Sequence, residues 1–250
     1  MPARLLHDLK GWLDAGLSFL YPEACQYCGR EPAAAAEGFV CESCRGRVKW
    51  IRPPYCARCG LPFEGDLTTP FECANCREME LYFVQARSAV AAQGVVLDII
   101  HRYKYQRALW FEPFLAALLV QAAAEALRQG PWGLIVPVPL HPIKKSEREF
   151  NQSERLARHL SRATQVPLET RGLKRVAPTR TQALLSRTER ASNVRRAFAV
   201  NGKGCFQAKH VVLVDDVLTT GATTSACAKV LRDAGAAQVC VWTVARGLLN

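Results

Sequence analysis

No apolar run in this 250-residue sequence reaches the roughly 20 residues that a bilayer-spanning helix needs. The longest, near Leu115–Ala126 and Ala89–Ile100, are too short or are flanked by charge. An apolar leader core is missing too, because His7, Asp8, Lys10 and Asp14 interrupt the first turns. That argues against a signal peptide and for a cytoplasmic chain whose thiols stay reduced. No collagen-like or heptad repeat runs through the sequence, which sets aside fibrous classes. Acidic residues are the scarce sign, 22 against 33 Lys and Arg, for a formal net charge of +11. With 49% hydrophobic residues and 22% charged ones, disorder is excluded as well. A length of 250 suits one medium domain with an accessory module, or two small domains.

The excess charge is local. Residues 1–80 hold 9 basic and 11 acidic residues, whereas residues 141–200 hold 14 and 5. A basic segment of this kind points to an anionic ligand or partner; a solvated basic face is the plainer alternative.

What the sequence has in abundance is cysteine, 11 in all. Eight form Cys-x-x-Cys pairs: Cys25/Cys28, Cys41/Cys44, Cys56/Cys59 and Cys73/Cys76. The pairs repeat in tandem, each leading pair being followed by a glycine, Gly29 or Gly60. Two thiolates separated by two residues can hold one tetrahedral zinc, and four close the site. Two structural Zn²⁺ ions are therefore expected, with an iron–sulfur or redox use of the thiols as the alternative. Repeat logic favours Cys25/Cys28/Cys41/Cys44 and Cys56/Cys59/Cys73/Cys76 over an interleaved pairing. Neither half is long enough to bury a core, so metal would supply much of its folding energy. Cys227 and Cys240 lie in apolar runs and read as small buried hydrophobes.

From residue 81 the pattern alternates between strands and helices. Strands are expected at Ala86–Ala92, Leu134–Val138, Lys209–Val214 and Ala237–Ala245, with helices near Val95–Tyr103, Phe111–Arg128, Ser153–Ala163 and Thr223–Ala234. Such alternation implies an α/β fold with a parallel sheet flanked by helices. The densest stretch is Val211–Thr223, where an apolar strand runs into Asp215 and Asp216 and then Thr219-Thr220-Gly221-Ala222-Thr223. A turn of this kind opening a helix offers free N–H groups and hydroxyls to an anion. The two carboxylates would repel phosphate, and suit hydroxyls or a divalent cation beside it. Phosphate next to a diol describes a ribose 5-phosphate.

Val211–Thr223 resembles the phosphoribosyl-pyrophosphate (PRPP) signature of type I phosphoribosyltransferases. With the paired zinc ribbons, nearly the whole chain resembles the ComF family of competence proteins. His101–Tyr105, Val136–His141, Phe150–Gln152 and Gln182–Arg190 add to the match. Leu5, Leu6, Leu9, Leu13, Leu17 and Leu20 stand at helical spacing, which predicts an amphipathic helix over residues 1–22; the resemblance implies a double zinc ribbon over 23–80 and a phosphoribosyltransferase-like domain over 81–250. It further implies that Asp215 and Asp216 meet the ribose hydroxyls and that Thr219, Thr220, Gly221, Ala222 and Thr223 cradle the 5-phosphate. The loop carrying Pro139 and Leu140 would hold pyrophosphate, and Arg175 and Gln182 would belong to a lid. Lys144 and Arg148, from the basic segment, add cations for the pyrophosphate. Mg²⁺ would accompany PRPP, bridging its pyrophosphate and ribose hydroxyls. Two departures stand out: Glu149 and Leu185 occupy positions where the family often has glycine.

Two functions follow from the resemblance. One is a phosphoribosyltransferase acting on an unspecified acceptor, linked to DNA uptake or DNA utilisation. The other is a non-catalytic factor that binds PRPP, single-stranded DNA or proteins of the competence machinery.

Overall fold

The computed structural model describes residues 23–63, 65, 69–141, 149–177, 197–202 and 204–248. The helix expected over residues 1–22 lies outside them, as do Lys144, Arg148, Gln182 and Leu185.

Strand β1 (Gln85–Ala91) leads to helices α3 (Gly94–Tyr105) and α4 (Glu112–Gln129), preceded in the chain by two short helices, α1 (Glu42–Arg45) and α2 (Ala74–Glu78). Then come β2 (Leu134–Pro137), α5 (Gln152–Thr164), the short strands β3 (Leu173–Arg175) and β4 (Phe198–Val200), β5 (His210–Leu218), α6 (Ala222–Asp233) and β6 (Gln238–Arg246). Four strands form one parallel sheet in the order β1-β6-β5-β2, while β3 and β4 pair antiparallel on their own. The expected α/β class and every expected strand and helix of the sheet domain are present. One boundary differs in a way that matters. β5 does not stop at Val214 but carries Asp215 and Asp216 within the strand, because β6 pairs on through Asp215↔Thr243 and Val217↔Ala245.

Both faces of the sheet are covered, which is why β5 and β6 read as nearly unbroken apolar runs. Val212, Val214, Cys240, Trp242 and Val244 pack towards α3, α4 and α5, whereas Val211, Leu213, Val239 and Val241 pack towards α6, among them Cys227 and Leu231. Cys227 and Cys240 are fully buried, as small hydrophobes would be. The stretch Leu109–Gln129 is long and apolar enough to cross a membrane by length and composition, more than its apolar run alone suggested. Its apolarity has a local cause. Phe114, Leu115, Leu118, Leu119, Ala123 and Leu127 are buried in the protein core. At its start Glu112 is buried and receives Arg155, with His159 Nε2 at 2.9 Å and the Tyr103 hydroxyl at 3.3 Å, which ties α3, α4 and α5 together.

The cysteine module straddles the sheet. Cys25, Cys41 and Cys44 belong to the core on the α3/α4 side, and Cys56, Cys59 and Cys76 to the core on the α6 side. Between them the linker runs along the outer edge of β1. Ala91 N–H donates to Lys49 O (2.8 Å), Ile51 N–H to Ala89 O (3.0 Å) and Ala86 N–H to Arg58 O (2.7 Å). An edge strand that would otherwise expose a row of unpaired backbone groups is thereby occupied.

Candidate functional site

The two cysteine quartets are built alike. In the first, Cys25 N–H donates to Glu31 O and Gln26 N–H to Phe39 O; in the second, Cys56 N–H donates to Leu61 O and Ala57 N–H to Phe71 O. Cys41 N–H points at Cys25 Sγ (3.4 Å) and Cys73 N–H at Cys56 Sγ (3.3 Å). The glycines that follow each leading pair adopt φ of 68° (Gly29) and 66° (Gly60), the left-handed turn that closes each knuckle. A β-carbon on Gly60 would also stand 2.8 Å from Ala86 O, where the second ribbon meets β1.

The sequential pairing holds. Cys25, Cys28, Cys41 and Cys44 gather in one cluster and Cys56, Cys59, Cys73 and Cys76 in another, the sulfurs of each lying within 4.8 Å of one another. Sγ–Sγ separations are 3.9 Å (Cys25–Cys44), 3.7 Å (Cys28–Cys41), 3.7 Å (Cys56–Cys76) and 3.6 Å (Cys59–Cys73). Four sulfurs at ~2.3 Å from one tetrahedral zinc stand about 3.8 Å apart, so the donor sets fit that ion. Burial opposes ionisation of the first thiol in each set. Even so, backbone N–H groups bring Cys25 down to about 6 and Cys56 to about 7. Four thiolates leave no open coordination position, which makes both centres structural.

A second site lies at the carboxyl ends of β2 and β5, where open α/β sheets bind ligands. A cleft of about 380 Å³ is lined there by Pro139, Leu140, Arg175, Asp215, Asp216, Thr219 and Thr223, together with His101, Lys104 and Ser153. The structure thus brings together most of the site residues expected from the sequence. Thr220, Gly221 and Ala222 complete the turn: Gly221 caps α6 with φ of 88°, and Ala222 N–H faces Thr220 Oγ1 at 3.4 Å. Lys144, Arg148 and Gln182 lie outside the described residues, so their placement does not enter.

The carboxylates are held from several directions. Asp215 Oδ1 accepts from Ser153 Oγ (2.7 Å) and from the Asp216 N–H (2.9 Å). Asp216 Oδ1 accepts from Val217 N–H (2.7 Å), and its Oδ2 lies 2.7 Å from Lys104 Nζ. Burial, then the neighbouring Asp216 charge, pushes Asp215 up to about 7. Arg175 lies across the Phe198 ring at 5.5 Å, and burial lowers its pKa.

Lys104 and Ser153 had no role in the sequence analysis. The signal for Lys104 was present: Leu97, Ile100, His101, Lys104 and Tyr105 lie at helical spacing, and all line the cleft. Ser153 arrives through Asn151, which caps α5 by accepting from Ser153 N–H (3.1 Å) while donating to Val138 O (3.1 Å). The Phe150–Gln152 string therefore locks the helix start to the loop after β2.

Glu149, the departure from glycine, has φ of 66° and pairs with Arg107 at 2.9 Å. A left-handed backbone is the physical reason a glycine suits this position.

A double zinc ribbon joined to an α/β domain with a four-stranded parallel sheet is the class that this fold defines. Residues 16–77 match the double zinc ribbon domain family. Over 230 residues the chain is 33% identical to competence protein F of Haemophilus influenzae, covering 89% of this chain and 96% of that protein. It is 31% identical to the DNA utilization protein YhgH of Escherichia coli K12, covering 91% and 98%. A purine phosphoribosyltransferase from Pyrococcus horikoshii aligns with 53% of this chain and 83% of its own, at 18% identity and a TM-score of 0.35. The chain belongs to the ComF family of competence proteins.

Proposed function

We propose that this chain binds PRPP together with Mg²⁺ and transfers the phosphoribosyl group to an acceptor, in the service of DNA uptake or DNA utilisation. The observation that carries the reading is the succession at the end of β5: two carboxylates, then the Thr219–Thr223 turn that opens α6, with Asp215, Asp216, Thr219 and Thr223 lining one cleft. The turn amides and hydroxyls would take the 5-phosphate, favoured by the helix dipole. Asp215 and Asp216 would accept from the ribose hydroxyls. Pro139 and Leu140 would border the pyrophosphate, with Arg175 and Lys104 supplying positive charge as the leaving group departs.

Mg²⁺, when bound, would neutralise pyrophosphate charge. Among the described residues no third carboxylate clusters with Asp215 and Asp216, and Lys104 already meets one Asp216 oxygen. That donor set suits a cation carried on the ligand's own oxygens. The link to DNA is supported by the relatives, which bear the names competence protein F and DNA utilization protein.

Calorimetry with PRPP and Mg²⁺ tests the reading. Binding should be saturable in the wild type and weakened at least tenfold by Asp215→Asn with Asp216→Asn, at unchanged zinc content. Equal affinity in the double variant would refute it. PRPP bound without pyrophosphate release in the presence of candidate acceptors would favour the non-catalytic factor.

A further inference from the structure

Arg246, the last residue of β6, is fully buried, and burying a guanidinium is costly unless it is paired. Its partners lie in two places. Nη1 donates to Leu218 O (3.0 Å), to Thr219 O and to Gly247 O (2.7 Å), so it grips the carbonyls where the Thr219–Thr223 turn begins. Nη2 donates to Cys59 Sγ (3.3 Å) and Nε to Cys59 O (3.2 Å). One side chain therefore spans the second cysteine centre and the turn that opens α6. A zinc-bound thiolate is the anionic partner such a cation needs.

The same ribbon holds the turn elsewhere. Asn75, inside the Cys73-x-x-Cys76 knuckle, donates from Nδ2 to Thr220 O (3.1 Å). Ser225 in the first turn of α6 donates to Glu80 O (3.1 Å) and receives Tyr82 N–H (3.1 Å). Gly221 rests beside Phe83 and Leu81. The first centre makes a different set of contacts. Tyr27 donates to Asp98 Oδ2 (3.0 Å) and Arg102 to Gln26 O (2.9 Å), both on the body of α3, and Gly38 abuts Phe114 on α4. Among the described residues it reaches the cleft through α3, a helix that also packs on the core.

We propose that Arg246 is a positioning residue which makes the geometry of the Thr219–Thr223 turn depend on the second zinc centre, Cys56/Cys59/Cys73/Cys76, and not on the first. With metal bound, the Cys59 knuckle is fixed and the guanidinium anchors the carbonyls of Leu218 and Thr219, leaving the N–H groups beyond them facing the cleft. Without metal the anchor moves with the knuckle and the turn loosens. The two ribbons are alike in sequence and unlike in consequence. The proposal rests on the reading of this turn as a phosphate cradle, and its test separates the two.

Amide hydrogen exchange over residues 218–223 and titration with ribose 5-phosphate would be measured on the full chain, with zinc counted for every variant. Asn75→Ala removes one tie and leaves all eight cysteines and Arg246 in place; Arg246→Lys keeps the charge but cannot bridge sulfur and carbonyls. Cys73→Ser and Cys28→Ser disable the second and first centres respectively. Asn75→Ala and Arg246→Lys at two zinc equivalents, and Cys73→Ser at one, should each speed exchange in the turn at least tenfold. The same three should weaken ribose 5-phosphate at least tenfold, while Cys28→Ser should change either quantity less than threefold. Wild-type exchange in both Asn75→Ala and Arg246→Lys, or equal effects of Cys28→Ser and Cys73→Ser, would overturn the proposal. If the wild type ignores ribose 5-phosphate, the phosphate reading falls, and the exchange rates still decide the coupling.

Discussion

Lys104 Nζ lies 2.7 Å from Asp216 Oδ2, and both side chains are largely withdrawn from solvent. The pair brings α3 onto the end of β5, and it sets the charge of the cleft before any ligand arrives. Lys104 stands on α3, so the position of that helix and the charge of the site are linked.

Breaking a buried pair from one side leaves the other charge uncompensated, which costs about 3 kcal/mol or more. Lys104→Met should therefore lower the melting temperature by roughly 6–12 °C for a chain of this size. Adding Asp216→Asn to it should restore most of the loss, because the double variant no longer buries a lone carboxylate. A thermal-melt cycle over the four proteins is the check; additive losses would mean that the 2.7 Å contact contributes no coupling.

Asp215 gives the pH dependence. Its folded pKa of about 7 lies above the ordinary 3.8 of an aspartate, burial being the largest cause and Asp216 the next. A carboxyl raised on folding stabilises the fold fully below its unfolded pKa, and that contribution is lost as pH rises through about 7. Asp215→Asn preserves an acceptor for Ser153 and for the Asp216 N–H while removing the buried charge. The variant should melt well above wild type at pH 8, by up to about 10 °C for a difference of up to about 4 kcal/mol, and the gap should close near pH 4. A gap that is constant from pH 4 to 8 would contradict the raised pKa.

How much of this was readable beforehand follows the separation of the residues along the chain. The zinc quartets were legible because each Cys-x-x-Cys pair is local and the two halves repeat. Asp215, Asp216 and the threonine turn were legible because they are contiguous and end an apolar strand. Lys104 on Asp216, Ser153 on Asp215 and Arg246 on Cys59 were not. Their partners lie far away in sequence, 187 residues in the last case, and only the packing of α3, α5 and β6 brings them together. Strand pairing also moved the end of β5: alone, Asp215 and Asp216 look like the start of a turn, but β6 continues beside them to Arg246.

Glu149 is the place where the sequence flagged an oddity whose cause is purely conformational. It departs from a glycine that the family often has, and it holds φ at 66°, which a side chain tolerates at a cost of order 1 kcal/mol. Its ion pair with Arg107 offsets little, since both side chains are more than half exposed and such pairs contribute about 0–1 kcal/mol. Glycine substitutions usually destabilise, through the freedom they add to the unfolded chain. Here the released strain opposes that loss, so Glu149→Gly should leave stability unchanged or raise it by up to about 1 kcal/mol. Glu149→Ala separates the terms, because it removes the ion pair while keeping the β-carbon in the strained region; it should be the less stable of the two. Denaturant midpoints for wild type, Glu149→Ala and Glu149→Gly measure the order directly. Glycine below alanine would show that the strain released is smaller than the freedom glycine adds to the unfolded chain.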